Sequence, residues 1–220
     1  MTHTLKIALL ILLYSTAVFG QVTTVPNKSA QVDDLDRQVP KWLPEKELTI
    51  GEFAAWIPVS AGVVFDSSLE RSKKYKLRPA TLTVRGLLDA IVRAEPRYKW
   101  EIKRGVINLI PTDKIPALLE SIIPNVDLKN VTTLDGFDAL ENMPEFRTFA
   151  NNNGYGNYTV PRISNSSRLG NVSPFSFKCT GCDIREIMNV YVRTYGRAVW
   201  GFDEYEEKGN RYFSIWLIRN

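Results

Sequence analysis

One histidine, His3, and two cysteines, Cys179 and Cys182, are the only imidazole and thiol groups in 220 residues. The histidine sits in an N-terminal stretch that reads as a secretory signal peptide, residues 1–20. Lys6 precedes the apolar run Ile7 to Tyr14, and small or aliphatic residues follow at Ala17, Val18 and Gly20. Cleavage after Gly20 leaves a chain without histidine. That excludes a Ser-His-Asp or Cys-His nucleophilic centre and any zinc site built on imidazole, leaving carboxylate, lysine, tyrosine or cysteine chemistry. The apolar run is shorter than the roughly 20 residues a membrane-spanning helix needs. No later segment is long enough either, so no transmembrane segment is expected after cleavage. Charge of one sign is also scarce: the formal net charge is +4 and most basic residues alternate with acids, which gives no reason to expect a nucleic-acid partner. No catalytic residue, metal ligand or cofactor is assigned.

The 44% hydrophobic content is enough for a buried core. Its pattern repeats. Thr83 and Asp183, Arg85 and Arg185, Val92 and Val192, Arg93 and Arg193, Arg97 and Arg197, and Trp100 and Trp200 all stand 100 residues apart. Val84, Leu87, Leu88, Ile91 and Val92 fall on one face of a helix, and Ile184, Ile187, Met188 and Tyr191 answer them. Thr83 suits the N-cap of the first helix and Asp183 that of the second, where Glu186 completes a capping box. The helices should stop near Glu95 and Gly196. Each is followed by a hairpin: Tyr98 to Ile102 and Val106 to Ile110 about a tight turn, then Val199 to Tyr205 and Tyr212 to Ile218 about a longer polar turn at Glu206 to Arg211. The expected fold is α+β, with two related small lobes, each a helix packed on a short sheet.

In chain order, residues 21–40 read as a flexible tether and residues 41–113 as the first lobe, with order beginning near Trp42. Thr49 and Glu52 form a capping box before a short helix that Pro58 ends, and Val63 to Phe65 form a buried strand. Residues 114–148 are a connecting strand and helix: Ile122 to Val131 is a strand region broken by Pro124, and Leu134 to Met143 a helix ending before Pro144. Residues 149–173 are an Asn/Ser/Gly-rich loop, and residues 174–220 the second helix-hairpin lobe. Loops longer than about 15 residues are functional or disordered, so Tyr155, Tyr158 and Arg162 form a binding lid or belong to a mobile connector. Five N-x-S/T sequons, at Asn27, Asn130, Asn157, Asn165 and Asn171, matter only in a glycosylating host.

Three features carry candidate chemistry. Lys74, Lys76 and Arg78 alternate with Tyr75 and Leu77, giving a strand with one basic and one apolar face; Arg71 and Lys73 add to its charge. Such a face suits an acidic glycan, a lipid headgroup or an acidic protein, or simply protects an edge. Cys179 and Cys182 form a Cys-x-x-Cys ahead of a helix. The pair is a structural disulfide or a thiol-disulfide redox centre. Both sulfurs precede the capping Asp183, whose carboxylate opposes thiolate formation, and this favours the structural reading. Trp100 and Trp200 are candidates for core packing rather than a carbohydrate platform. Arg85 and Arg185, in helix first turns, call for a carboxylate pair, a partner or solvent.

The segment Leu48 to Pro111, with LTIGEFAAWIPVSAGVVFD and YKLRPATLTVRGLLDAIVRAEPRYKWEIKRGVINLIP, resembles the short N-terminal domain of bacterial secretins and TonB-dependent transducers. The resemblance rests on the capped helix leading into VVFD, the basic strand, the T-V-x-x-L-L-D-A-I helix and the W-E-x-x-x-G-V-I-N-L-I hairpin. Pro58 inside the first helix departs from the pattern. The resemblance implies a periplasmic docking surface rather than a catalyst. No secretin pore or outer-membrane barrel follows, so pore formation and transport are not carried over. The expectation is an exported interaction module, periplasmic or extracellular, with an envelope protein as partner. The alternatives are a thiol-disulfide oxidoreductase using Cys179 and Cys182, or a glycan- or peptidoglycan-binding protein using Tyr155, Tyr158 and the basic face.

Overall fold

The computed structural model describes residues 34–66, 72–155, 174–195 and 198–219. Residues 1–20, read above as a signal peptide, residues 21–33 of the expected tether and residues 156–173 of the expected loop lie outside them. In order, the elements are β1 (Glu47–Leu48), α1 (Ile50–Ala55), β2 (Ala61–Val64), β3 (Tyr75–Lys76), α2 (Val84–Ala94), β4 (Tyr98–Lys103) and β5 (Val106–Pro111). Then come β6 (Ile122–Val131), α3 (Thr133–Glu141), α4 (Pro144–Asn152), β7 (Phe175–Asp183), α5 (Ile184–Tyr195), β8 (Ala198–Glu207) and β9 (Asn210–Arg219). The fold is α+β.

β2 is the hub. The principal sheet runs β4-β5-β2-β8-β9, and β2 pairs in parallel with β5 on one side and β8 on the other. The two repeated hairpins, β4-β5 and β8-β9, are each antiparallel and flank it. The lobes therefore share one sheet instead of each having its own. Gly62 of β2 faces Trp200 so closely that a Cβ there would lie 2.2 Å from the indole, which makes glycine the residue that lets β8 dock.

The sheet separates two cores. On one face Ala61, Val63, Ile107, Leu109 and Val199 meet α1 and α2 through Phe53, Leu87, Leu88 and Ile91. On the other, Val64, Val106, Ile110, Ala198, Trp200 and Phe202 meet α5 and the β6-β7 ribbon through Ile187, Met188, Tyr191 and Val126. Side chains alternate across a strand, so a single central strand serves both cores.

The caps form as the sequence requires. Thr83 accepts from the Gly86 amide at 3.2 Å, and the Glu186 amide donates to Asp183 at 2.7 Å while the Asp183 amide donates back to Glu186 at 3.4 Å. Thr49 and Glu52 close a full capping box. The hairpin turns are equivalent too. Arg104-Gly105 and Lys208-Gly209 both have positive φ (53° and 74°, 52° and 77°), the mirror-image turn that matches strand twist. The longer turn expected at Glu206 to Arg211 is thus two residues, with the strands continuing to Glu207 and from Asn210.

Three boundaries also differ from expectation. Order starts before Trp42: Leu35 and Val39 are buried, and the Val39 amide donates to Leu82 O at 3.0 Å, docking residues 34–40 along the start of α2. β6 runs through Pro124 unbroken, because β7 is its one strand neighbour and proline fits where no ladder donor is needed. Pro144 opens a second helix, α4, rather than only closing the first. A proline at the first helical position loses no intrahelical bond, and α4 carries order to Asn152, inside the expected loop.

Candidate interaction surface

Strand β3 pairs antiparallel with β1, Lys76 opposite Glu47 and Tyr75 opposite Leu48. The period-two pattern is realised: Tyr75 and Leu77 are buried, whereas Lys74, Lys76 and Arg78 are exposed. Among the described residues these three cations have no carboxylate partner. Arg71 lies outside the described residues.

What fixes this strand is a residue that sequence reasoning treated only as a helix end. Glu95, 5% exposed, accepts from the Tyr75 hydroxyl at 2.9 Å, from Lys73 at 3.2 Å and from Arg97 at 2.8 and 3.2 Å. Its carboxyl is held down at about 2, chiefly by the Arg97 hydrogen bonds, against the opposing effect of burial and with help from Tyr75 and Lys73. Burial and the same carboxylate push the Tyr75 hydroxyl up to about 12. Lys73 thus belongs to the anchor, with its ammonium 5.0 Å from the Tyr75 ring centre. Its charge is shared with Glu95 and is not part of the unpaired row. The sequence clue was Glu95-Pro96-Arg97: an acid at a helix end stopped by proline, two residues from a guanidinium.

Arg97 leads from that anchor to a polar cleft of about 330 Å³, lined by Phe65, Asp66, Asp113, Lys114, Glu204 and Arg211 among others. It lies beyond the carboxyl ends of the parallel strands β2 and β5, the position where open sheets with a reversal of strand order form crevices. Arg97 Nη1 stands 3.8 Å from Asp66, and Arg211 stands 3.6 Å from Glu204. Tyr155 closes the cleft floor. It is 1% exposed, hydrogen-bonded to Glu204 and covered by Arg211, whose guanidinium is 4.7 Å from the ring centre. Burial, then the Glu204 hydrogen bond, raises its pKa. Tyr155, expected in a binding lid or a mobile connector, packs its ring edge-on against Phe213 in the core. Tyr158 and Arg162 lie outside the described residues. The cations that face the cleft from Arg97 and Arg211 are already met by carboxylates, which leaves Lys114 as the more available charge.

Cys179 and Cys182 are joined as a disulfide, with Cα atoms 6.0 Å apart. Both lie in β7, 8% and 1% exposed, with Gly181 between them at φ +62°. Buried sulfurs inside a paired strand are poorly placed for exchange with a substrate thiol. Cys179→Ser/Cys182→Ser should lower unfolding stability by about 2 kcal/mol, the value for a loop this short, while leaving the circular dichroism spectrum native. Loss of folding altogether would show that the bridge does more than constrain the unfolded chain.

The remaining candidates settle into structural positions. Trp200 is fully buried and Trp100 half-buried, and their indole N–H groups reach equivalent partners: Asn189 at 2.8 Å and Asp89 at 2.9 Å. Arg185 pairs with Glu101 at 2.6 Å, and Arg85 lies 5.7 Å from the Trp100 ring centre. Among the described residues no cluster of three or more histidine, cysteine or acidic side chains is arranged to hold a metal, and no helix is long and apolar enough to cross a membrane. Comparisons with protein-family models, curated proteins and solved structures find no match for this chain.

Proposed function

We propose that this chain is an exported, non-catalytic docking module that presents β3 and its flanks to an acidic surface on an envelope protein. The observation that carries the reading is the exposed row Lys74, Lys76 and Arg78 on a strand whose other face is locked down through Tyr75, Leu77 and Glu95. A cationic row with its backbone already ordered loses little entropy on binding, and its field speeds encounter with an acidic partner. The resemblance of residues 48–111 to secretin and transducer domains, and the signal-peptide pattern of residues 1–20, support a periplasmic setting for that partner.

Crosslinking in intact cells tests this, with the mature protein compared against Lys74→Glu/Lys76→Glu. A discrete envelope partner should be captured by the wild type and lost by the variant. With the purified pair, affinity should fall at least roughly tenfold in the variant and weaken with added salt in the wild type. Capture that is indifferent to both substitutions would reject β3 as the surface.

A further inference from the structure

Helix α2 packs on one face of the principal sheet and leads into β4-β5 on one side of β2; α5 packs on the opposite face and leads into β8-β9 on the other side. A reversal of this kind leaves a crevice at the carboxyl ends of the parallel strands, and crevices there are where open sheets bind ligands. The polar cleft of about 330 Å³ stands at that place. Each of the three parallel strands lines it from just past its paired stretch. Phe65 and Asp66 follow β2, Asp113 and Lys114 follow β5, and Glu204 lies beyond Phe202, the last residue of β8 to pair with β2.

The lining is balanced in charge, with Asp66, Asp113 and Glu204 against Arg97, Lys114 and Arg211. Four of the six are matched within the protein, Asp66 by Arg97 and Glu204 by Arg211. Asp113 and Lys114 are both exposed, and among the described residues neither has an ion-pair partner; Asp113 accepts from the Thr112 hydroxyl at 3.2 Å. They are neighbours at a bend, so one unmatched anion and one unmatched cation line the same cleft. Phe65, Pro111, Pro116 and Ala117 give it an apolar wall. We infer that this cleft binds a small zwitterion, a free amino acid or a short peptide with both ends unblocked. Asp113 takes the ammonium, Lys114 takes the carboxylate, and an apolar side chain lies along the wall. The lining has no net charge to draw in a simple anion or cation, whereas a ligand with both charges answers both groups. Lys74, Lys76 and Arg78 are not part of the cleft, so this binding is independent of the docking proposed for β3.

The probe is alanyl-alanine, titrated into the mature protein and followed by backbone amide chemical shifts, which register binding at millimolar Kd. Shifts should centre on Asp66, Asp113, Lys114 and Tyr155. N-acetylation removes the ammonium and C-terminal amidation the carboxylate, and each should weaken binding roughly tenfold, the value of one charge-assisted hydrogen bond. Asp113→Asn should cost the free dipeptide the same tenfold and its N-acetyl form nothing; Lys114→Gln should do likewise with the amide. Both side chains are exposed, so the variants should stay folded. Alanine binding as tightly as the dipeptide would name a free amino acid as the ligand, and weaker binding a peptide; either supports the site. Affinity indifferent to both blocked ends, variants that weaken all three dipeptides alike, or no binding at millimolar concentration would overturn it.

Discussion

Asn189→Ala is expected to destabilise the protein by about 4 kcal/mol, more than any surface substitution, although the side chain is small and touches no candidate site. Asn189, Asn108 and Trp200 are all fully buried. The Asn189 carbonyl accepts from Trp200 at 2.8 Å and from Asn108 at 3.1 Å, while its amide donates to Lys103 O at 3.1 Å and to Asn108 at 3.2 Å. One side chain on α5 thereby ties both hairpins to the helix. Its removal takes the partner from the Trp200 indole N–H, the Asn108 side-chain carbonyl and the Lys103 carbonyl, at about 1–3 kcal/mol each before relaxation. For a domain of this size the melting temperature should fall by about 10 °C. Asp89→Ala is the control, since it is the equivalent residue in the first unit and holds Trp100 at 2.9 Å in an exposed setting. Water can replace that carboxylate, so the cost should stay below about 1 kcal/mol. Equal costs for the two variants in urea unfolding would show that burial of the network is not what matters.

The same pair shows what a sequence can and cannot reveal. The 100-residue spacing of helix caps, apolar positions and tryptophans was legible, because each hydrogen-bonding or burial requirement is local to one helix or hairpin. Asp89 and Asn189 stand at the same spacing, and the conserved geometry of their indole contacts was readable in principle from Trp100 and Trp200. Their different surroundings were not: α5 lies on the face closed by β6 and β7, which come from the middle of the chain, whereas α2 leaves Trp100 at the sheet margin. The joining of both hairpins through β2 was equally hidden. Parallel pairing across 45 residues from Gly62 to Asn108, and farther to Trp200, has no turn signal to announce it. Pattern identified the basic face of β3, since alternation needs two neighbours only. For Glu95 only the local half of the anchor, Arg97 two residues on, was legible; Tyr75 and Lys73 reach it from about 20 residues away, which no local pattern announces.

Acid should weaken the anchor of β3 as pH falls from about 4.5 towards 2. Glu95 has a folded pKa of about 2 against an ordinary 4.5, so its contribution is fully present above about 4.5 and is lost as pH falls through about 2. That contribution is about 2 kcal/mol once solvent screening of the half-exposed Lys73 and Arg97 is allowed for. The difference in stability between wild type and Glu95→Gln, measured by urea unfolding, should accordingly be about 2 kcal/mol at pH 6 and shrink steadily below pH 4.5. Tyr75 acts at the other end of the scale: its hydroxyl is raised to about 12 from 10.0, so its share is intact below about 10 and disappears as pH rises through about 12. Between those limits the hydroxyl donates, the carboxylate accepts, and β3 stays fixed. Glu95→Gln also keeps the basic row intact while weakening what holds it, so partner affinity should fall with Lys74, Lys76 and Arg78 all present. A variant that loses stability but binds at full strength would separate the row from its anchor, and would show that charge alone, without the fixed strand, is sufficient for docking.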